Sequence, residues 1–387
     1  MRVGLKTCEW ERVGDGLVLV CDPSRSVELE DPEGQVEILL TVLRDRPGTA
    51  PQLRAALAAA GLDIGVDELA AALSALDDLR VLRDPDRPTD LDGAGRLFSN
   101  LAFFQLFSSL EVTDADLQRR VCDAHVLQLG VGGLGSNVLQ SLAGLGVGRL
   151  TLLDNDEVEP RNLARQFLYR EADLGTSKVH RAAAWVRDFH SGIRVDAVRR
   201  WVHGPDDLAD LLPGVDLVVS GIDQGERIDS WVNEACMSAG VPWVRGGMTG
   251  SQLIYFSVDP GRSACYECRI HAYAAGQGSA STLSALSMAA QRLSARIPRA
   301  NRANGPSAAL VGSLVAFEAL RYLTGYEPPY AAGADVLVDV AGGCTQRREP
   351  WPRNPDCPLC ATATATTTAT ATTAAAPDAA RTVAVAA

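Results

Sequence analysis

The spacing of apolar residues changes twice along the chain. From residue 8 to residue 31 apolar and polar positions alternate, with turn signals at Gly14-Asp15-Gly16 and Pro23-Ser24. Alternation puts every second side chain on one face, so three short strands are expected near 8–13, 17–21 and 26–30. The period then becomes helical. Glu33–Leu43 carries apolar residues at helical spacing, and Thr49–Ala60 opens with a Thr cap and a Pro and stops before Gly61. Asp67–Leu79 gathers Leu69, Ala72, Leu73, Leu76 and Leu79 on one face,. Val81-Leu82 reads as a short closing strand. Three strands, three helices and a wing predict a small winged helix-turn-helix domain over residues 1–84.

Past a segment (85–115) that opens as a polar, Pro/Gly-containing linker, short apolar runs alternate with helical stretches. Val126–Leu129 leads into Gly130-Val131-Gly132-Gly133-Leu134-Gly135, and a helical pattern follows. A second run, Arg149–Leu153, ends in Asp154, and a third, Leu217–Ile222, ends in Asp223. Helix 226–239, strand 243–245, a turn toward antiparallel strands over 246–258 and a last helix near 307–323 continue the alternation. The expectation is an α/β fold over residues 116–360, Rossmann-like, with a mostly parallel sheet. Residues 361–387 are a low-complexity Ala/Thr tail, expected to be disordered and to have no catalytic role,.

Composition narrows the functional classes. The chain is 47% hydrophobic and 22% charged, as in an ordinary globular protein,. Its start lacks the apolar core of a secretory signal, and no apolar run is read as a membrane span. A cytoplasmic setting is therefore expected, where nine cysteines serve as metal ligands or buried thiols rather than disulfides,. The net charge of −12 argues against nucleic acid,. Residues 1–90 hold ten basic and eighteen acidic side chains, the wrong sign for a winged helix that tracks phosphates. Such a domain can instead take an extended peptide as an added strand beside its β-hairpin.

The candidate chemistry starts at the glycine loop. Gly130, Gly132, Gly133 and Gly135 let the backbone approach a phosphate at a helix N-terminus, and Asp154 stands at the distance of a ribose-binding acid. The loop alone is compatible with many nucleotides. Just beyond the second strand, however, lies a polar cluster of Asp156, Asn162, Arg165, Gln166 and Lys178. Redox chemistry has no need of it, whereas a triphosphate does, because charge building on the α-phosphate must be offset. Separately, Cys265-x-x-Cys268 and Cys357-x-x-Cys360 have the spacing of a tetrahedral zinc site,. The long gap between them weakens that reading taken alone. Cys236 falls at a core-like helical position, and Cys344 is the one cysteine to be weighed as a nucleophile. The five histidines show no metal spacing.

The set Gly130–Gly135, Asp154, Asn162-Leu163-Ala164-Arg165-Gln166, Lys178 and Asp223 resembles the ThiF/MoeB superfamily, which includes the ubiquitin-activating enzymes. Residues from about 95 to 360 share the likeness. It implies adenylation of a C-terminal carboxylate by ATP. The glycine loop and Asp154 would hold the nucleotide, Asn162, Arg165 and Lys178 would stabilise charge, and Asp223 would hold Mg²⁺. It also implies a structural Zn²⁺ on the four paired cysteines and a homodimer. The segment Arg96–Asn100 resembles one in which the family carries an Arg acting across the dimer. Here Ser99 takes that position, and Arg96 is the available substitute. The acidic winged helix resembles leader-binding domains fused ahead of ThiF-like domains in enzymes that modify microcin-C-type and pantocin-type precursors. A precursor peptide, its leader bound by the N-terminal domain, is thus the implied partner. Residues 269–324 contain no cysteine at all, so an enzyme thioester in the crossover segment 274–301 is not expected. A ubiquitin-like sulfur carrier as acceptor, a non-catalytic leader-binding scaffold for a cyclodehydratase, and CTP in place of ATP stay open at this level.

Overall fold

The computed structural model describes residues 1–87, 91, 95–225, 227–274, 302–362 and 382–383. The crossover segment expected over 274–301 lies, past Ala274, outside the described residues. The chain divides into two compact units, Met1–Arg119 with Ala371–Ala387, and Arg120–Thr370.

In the first unit, strands β1 (Gly4–Leu5), β2 (Glu9–Val13), β3 (Gly16–Asp22) and β4 (Arg25–Glu30) precede helices α1 (Gln35–Asp45), α2 (Ala50–Ala59) and α3 (Val66–Asp78). β5 (Leu82–Arg83) pairs with β1 rather than with the hairpin. Strands β2, β3 and β4 form an antiparallel meander whose alternation buries Leu17, Leu19, Val27 and Leu29 against Leu40, Leu53 and Leu76 of the helices. Thr49 begins α2 with a capping box, Gln52 bonding back to the Thr49 amide at 2.8 Å,. Buried Lys6 donates to the carbonyls of Arg80, Gln105 and Ser108 at 2.6–2.8 Å, which ties the segment after α4 (Phe98–Gln105) to the wing.

Two expectations are corrected here. Cys8 and Cys21 form a disulfide rather than staying as free thiols. Glu9 pairs with Val20, so extending that ladder by one residue sets the two cysteines opposite each other. In the tail, Thr382–Val383 forms a short strand, β14, parallel to β4 at Glu28 and Leu29. The open edge of β4 offers main-chain partners that need no side-chain match, and even an Ala/Thr tail can supply them.

Helix α5 (Asp114–Asp123) leads into the second unit. Its sheet has eight strands in the order β13-β12-β11-β10-β9-β6-β7-β8, where β6 is His125–Leu129, β7 Arg149–Leu153, β8 Arg194–Val198, β9 Leu217–Ser220, β10 Trp243–Thr249, β11 Gln252–Val258, β12 Ala334–Asp339 and β13 Thr345–Pro350. Strands β10, β9, β6, β7 and β8 run parallel, and the remaining pairings are antiparallel. β6 and β9 are buried at every position, which is why they read as continuous apolar runs. The chain passes from β6 outward to β7 and β8, then returns to β9 on the other side of β6. Crevices for ligands open at such a reversal, beyond the carboxyl ends of the strands. The helices are α6 (Gly133–Leu145), α7 (Lys178–Phe189), α8 (Asp206–Ala209), α9 (Ile228–Ala239), α10 (Tyr266–Ala274), α11 (Gly305–Thr324) and α12 (Pro358–Thr362).

Helix α11 is the one described helix long and apolar enough to cross a membrane by length and composition, although the sequence reading found no such run. It is instead a core helix. Gly312 lets it close on α6, since a Cβ there would lie 2.6 Å from Asn137 Cβ, and Val311 and Val315 bury against the sheet side. Its buried Glu318 accepts from Ser257 Oγ and from the amides of Tyr330 and Ala331.

Candidate active site

The glycine loop joins β6 to α6 at the reversal of strand order, and its glycines are required by close contact. Gly130 has φ +86°, and a Cβ there would meet the Gly221 carbonyl group and the Ile222 amide at 2.9–3.0 Å. At Gly135 a Cβ would lie 2.0 Å from the Gly130 oxygen. Gln128, a buried amide inside β6, donates to the carbonyls of Gly130 and Gly135. Gly132 caps α6 and Gly133 begins it, so the loop presents the positive end of a helix dipole.

The polar cluster surrounds that end. Arg165 packs on the loop, its Cδ and Nε each 3.2 Å from where a Gly133 side chain would begin. Gln166 is buried beside Gly132, with its Oε1 unpartnered. Asn162 sits in a short 3-10 turn and accepts from the Glu159 amide at 2.9 Å, which fixes the turn that carries Arg165. Lys178 opens α7, is itself buried, and reaches Asp156 at 2.9 Å.

Asp154 directly follows β7 and stands beside the glycine loop. It is 7% exposed, and its two oxygens accept from the amides of Val131 and Asp156, each at 2.8 Å. Burial raises its pKa, and the two amides act in the opposite direction,. Its visible work is to clamp the glycine loop to the β7 end. Tyr169 completes the clamp from below by donating to the Val131 carbonyl at 2.8 Å. Asp223, three residues past the end of β9, is exposed, and among the described residues no hydrogen bond or ion pair holds its carboxylate. A hard cation suits such an oxygen donor.

The sequence reading missed Gln128 and Tyr169. A polar residue inside the apolar run Val126–Leu129 was a signal for the first. Nothing in the spacing marks the second.

The four paired cysteines come together. Their sulfurs lie within 4.8 Å of one another, and all four residues are buried. The Cys265–Cys268, Cys265–Cys357 and Cys268–Cys360 sulfurs are 3.6–3.8 Å apart. Four thiolates about 2.3 Å from a tetrahedral zinc would stand about 3.8 Å from each other, so the donor set fits that ion and leaves no open position. Each pair straddles the start of a short helix, α10 or α12. Arg269 beside it is clamped by Asp335 at 3.0 Å and lies over the rings of Phe256, Tyr266, Tyr273 and Trp351. Cys236 is fully buried in the core, where burial pushes its thiol pKa up. Cys344 is exposed in a turn at φ +64°. His125 bonds the Gly214 carbonyl and Thr151 Oγ1, a satisfied core residue. Arg96 and Ser99 are both exposed.

Comparison with known proteins places this geometry. The ThiF family model matches residues 105–359. Molybdopterin-synthase adenylyltransferase of Escherichia coli (strain K12) is 34% identical over 250 residues, which is 64% of this chain and 91% of that protein. Among solved structures, E. coli MccB with ATP superposes with a TM-score of 0.72 at 21% identity, covering 93% of this chain and all of that one. The microcin C7 biosynthetic enzyme MccB in complex with N-formylated MccA gives 0.70 at 20% identity, with the same coverage.

Proposed function

The chain belongs to the ThiF family, and from that premise we propose that it is an ATP-dependent enzyme that adenylates the C-terminal carboxylate of a ribosomally made precursor peptide and releases pyrophosphate. The observation that carries this reading is the packing of Arg165 on Gly133 at the N-terminus of α6, which brings a guanidinium beside the positive end of a helix dipole.

In this reading the glycine loop receives the phosphates, Gln166 bonds nearby, and Asp154 holds the loop beside the ribose. Arg165, Asn162 and Lys178 offset charge as the acceptor carboxylate attacks the α-phosphate in line. An ionised carboxylate is already a nucleophile, so catalysis is positioning plus electrostatics. For that attack Lys178 must turn from Asp156 to the phosphates, and Asp156 holds it in reserve. Asp223 is the residue that would hold Mg²⁺, whose charge favours the departing pyrophosphate. Zinc on Cys265, Cys268, Cys357 and Cys360 would be structural. The assembly is a cytoplasmic homodimer, with exposed Arg96 as the residue reaching across to the partner's nucleotide.

A precursor peptide is favoured as acceptor because the fold likeness to MccB extends over 93% of the chain, whereas the match to the molybdopterin-synthase enzyme takes in 64%. The N-terminal unit would then bind the leader. The 34% identity to that same enzyme favours a second reading, in which a ubiquitin-like sulfur carrier is the acceptor. ATP–pyrophosphate exchange with each acceptor separates the two. Exchange stimulated by the sulfur carrier alone overturns the first reading. Arg165→Ala should lower exchange on the order of 10²-fold or more while the fold is kept. Undiminished exchange in that variant overturns the assignment of the site.

A further inference from the structure

One half-buried cation beside the site has no part in the phosphate chemistry above. Arg245 stands in β10 opposite Ser220, the last residue of β9. Its side chain is 16% exposed, and its Nε lies 2.8 Å from Asp229 Oδ1. The contact is an ion pair without hydrogen-bond alignment. A terminal nitrogen of the same guanidinium donates to the Ile222 carbonyl at 2.8 Å. Asp229 lies in the first turn of α9, where its charge also suits the helix end. One planar fork therefore ties together the two ends of the loop between β9 and α9.

The Ile222 carbonyl belongs to the rigid peptide group that joins Ile222 to Asp223. Fixing that plane sets the direction in which the loop after β9 enters Asp223. The neighbouring atoms, the Gly221 carbonyl and the Ile222 amide, are those that back Gly130 of the glycine loop. A single point charge could satisfy Asp229 alone, whereas the flat, multiply donating guanidinium holds both partners at once.

We infer that Arg245, held by Asp229, is a positioning residue that presets the Asp223 carboxylate for the divalent cation of the bound nucleotide. The inference rests on the assignment of Asp223 to that cation. It is tested on the full chain by calorimetric ATP binding at graded Mg²⁺ concentrations, with thermal unfolding measured alongside. Residues that orient a metal ligand typically carry a 10–100-fold effect on metal affinity, so Arg245→Gln should raise the Mg²⁺ needed for half-maximal ATP binding by about that factor. Arg245→Lys should lie between that variant and the native chain. Asp229→Asn loosens the guanidinium without removing it and should shift the requirement the same way by less. A purely structural ion pair would lower the melting temperature and leave the Mg²⁺ requirement where it was. The inference is overturned if Arg245→Gln and Asp229→Asn keep the native Mg²⁺ dependence while Asp223→Asn loses it. Native dependence in Asp223→Asn itself overturns the assignment of Asp223, and the inference falls with it.

Discussion

The two units bury different things. The N-terminal unit hides leucines and valines around Leu40, Leu53 and Leu76, and its buried charges, Lys6 and Asp31, fasten backbone to backbone. Lys6 holds three carbonyls, and Asp31 accepts the amides that open α1. The second unit has an equally apolar sheet, yet at the strand ends it also buries Gln128, Asp154, Asn162, Gln166 and Lys178. Burying polar groups costs free energy unless each is partnered. A fold that gathers five of them around one helix end, with the Gln166 oxygen left open, has kept groups that a ligand can use. Buried polarity therefore separates the second unit, to which we assign the chemistry, from the first, to which we assign recognition.

The contrast is exposed to experiment at several strengths. The largest effect is expected from the cysteine cluster. Structural zinc can carry more than about 10 kcal/mol of apparent binding free energy. Purified protein should contain one zinc per chain by elemental analysis, and Cys357→Ser or chelation should remove the cooperative unfolding of the second unit while that of the first survives. A metal-free, fully folded protein would refute this assignment.

Next is Leu40→Ala, a fully buried position in the first unit, which should cost about 2–5 kcal/mol. If recognition and chemistry are separate, calorimetric ATP affinity of the full chain should not change; a parallel loss would break the comparison. Lys178→Ala acts the other way. It should lower exchange on the order of 10²-fold and leave the first unit's unfolding unaltered, as followed by circular dichroism.

The smallest effect is a pH dependence in the first unit. Burial, reinforced by the charge of Arg80, lowers Lys6 from 10.5 to about 8. A base whose pKa is depressed by folding gives stability that is complete above its unfolded value and lost as pH falls through its folded value. Thermal stability of the first unit should therefore rise between about pH 8 and pH 10.5, and Lys6→Met should flatten that rise. A profile in the variant that matches the native one would remove Lys6 as the cause.

Much of this was legible in the chain. The three strands and three helices expected within residues 1–84 fall within two residues of their expected ends because their apolar periods are local properties, whereas β1 and α4 were not expected,. The wing is off by one residue, since its partner is β1, and that pairing spans the whole domain. The site's residue types were legible for the same local reason: glycines, acids and bases at set distances from strand ends. The pairing of Cys8 with Cys21 depends on distant contacts, and the compositional argument pointed the other way.

The sequence by itself determined which residues can approach a phosphate, which pairs of thiols can share a metal, and which acids follow strands. These follow from side-chain chemistry and from periods of two and 3.6 residues. Only the tertiary structure decided what each one holds. It turned Asp154 inward to the loop amides, parked Lys178 on Asp156, and brought residues 92 positions apart to within 3.6 Å at the cysteine cluster. It also set Arg245 on the peptide that carries Asp223. The physical reason is that a hydrogen bond or an ion pair depends on distances and angles of ångström precision, and these are set where separate strands end side by side, not by their separation along the chain.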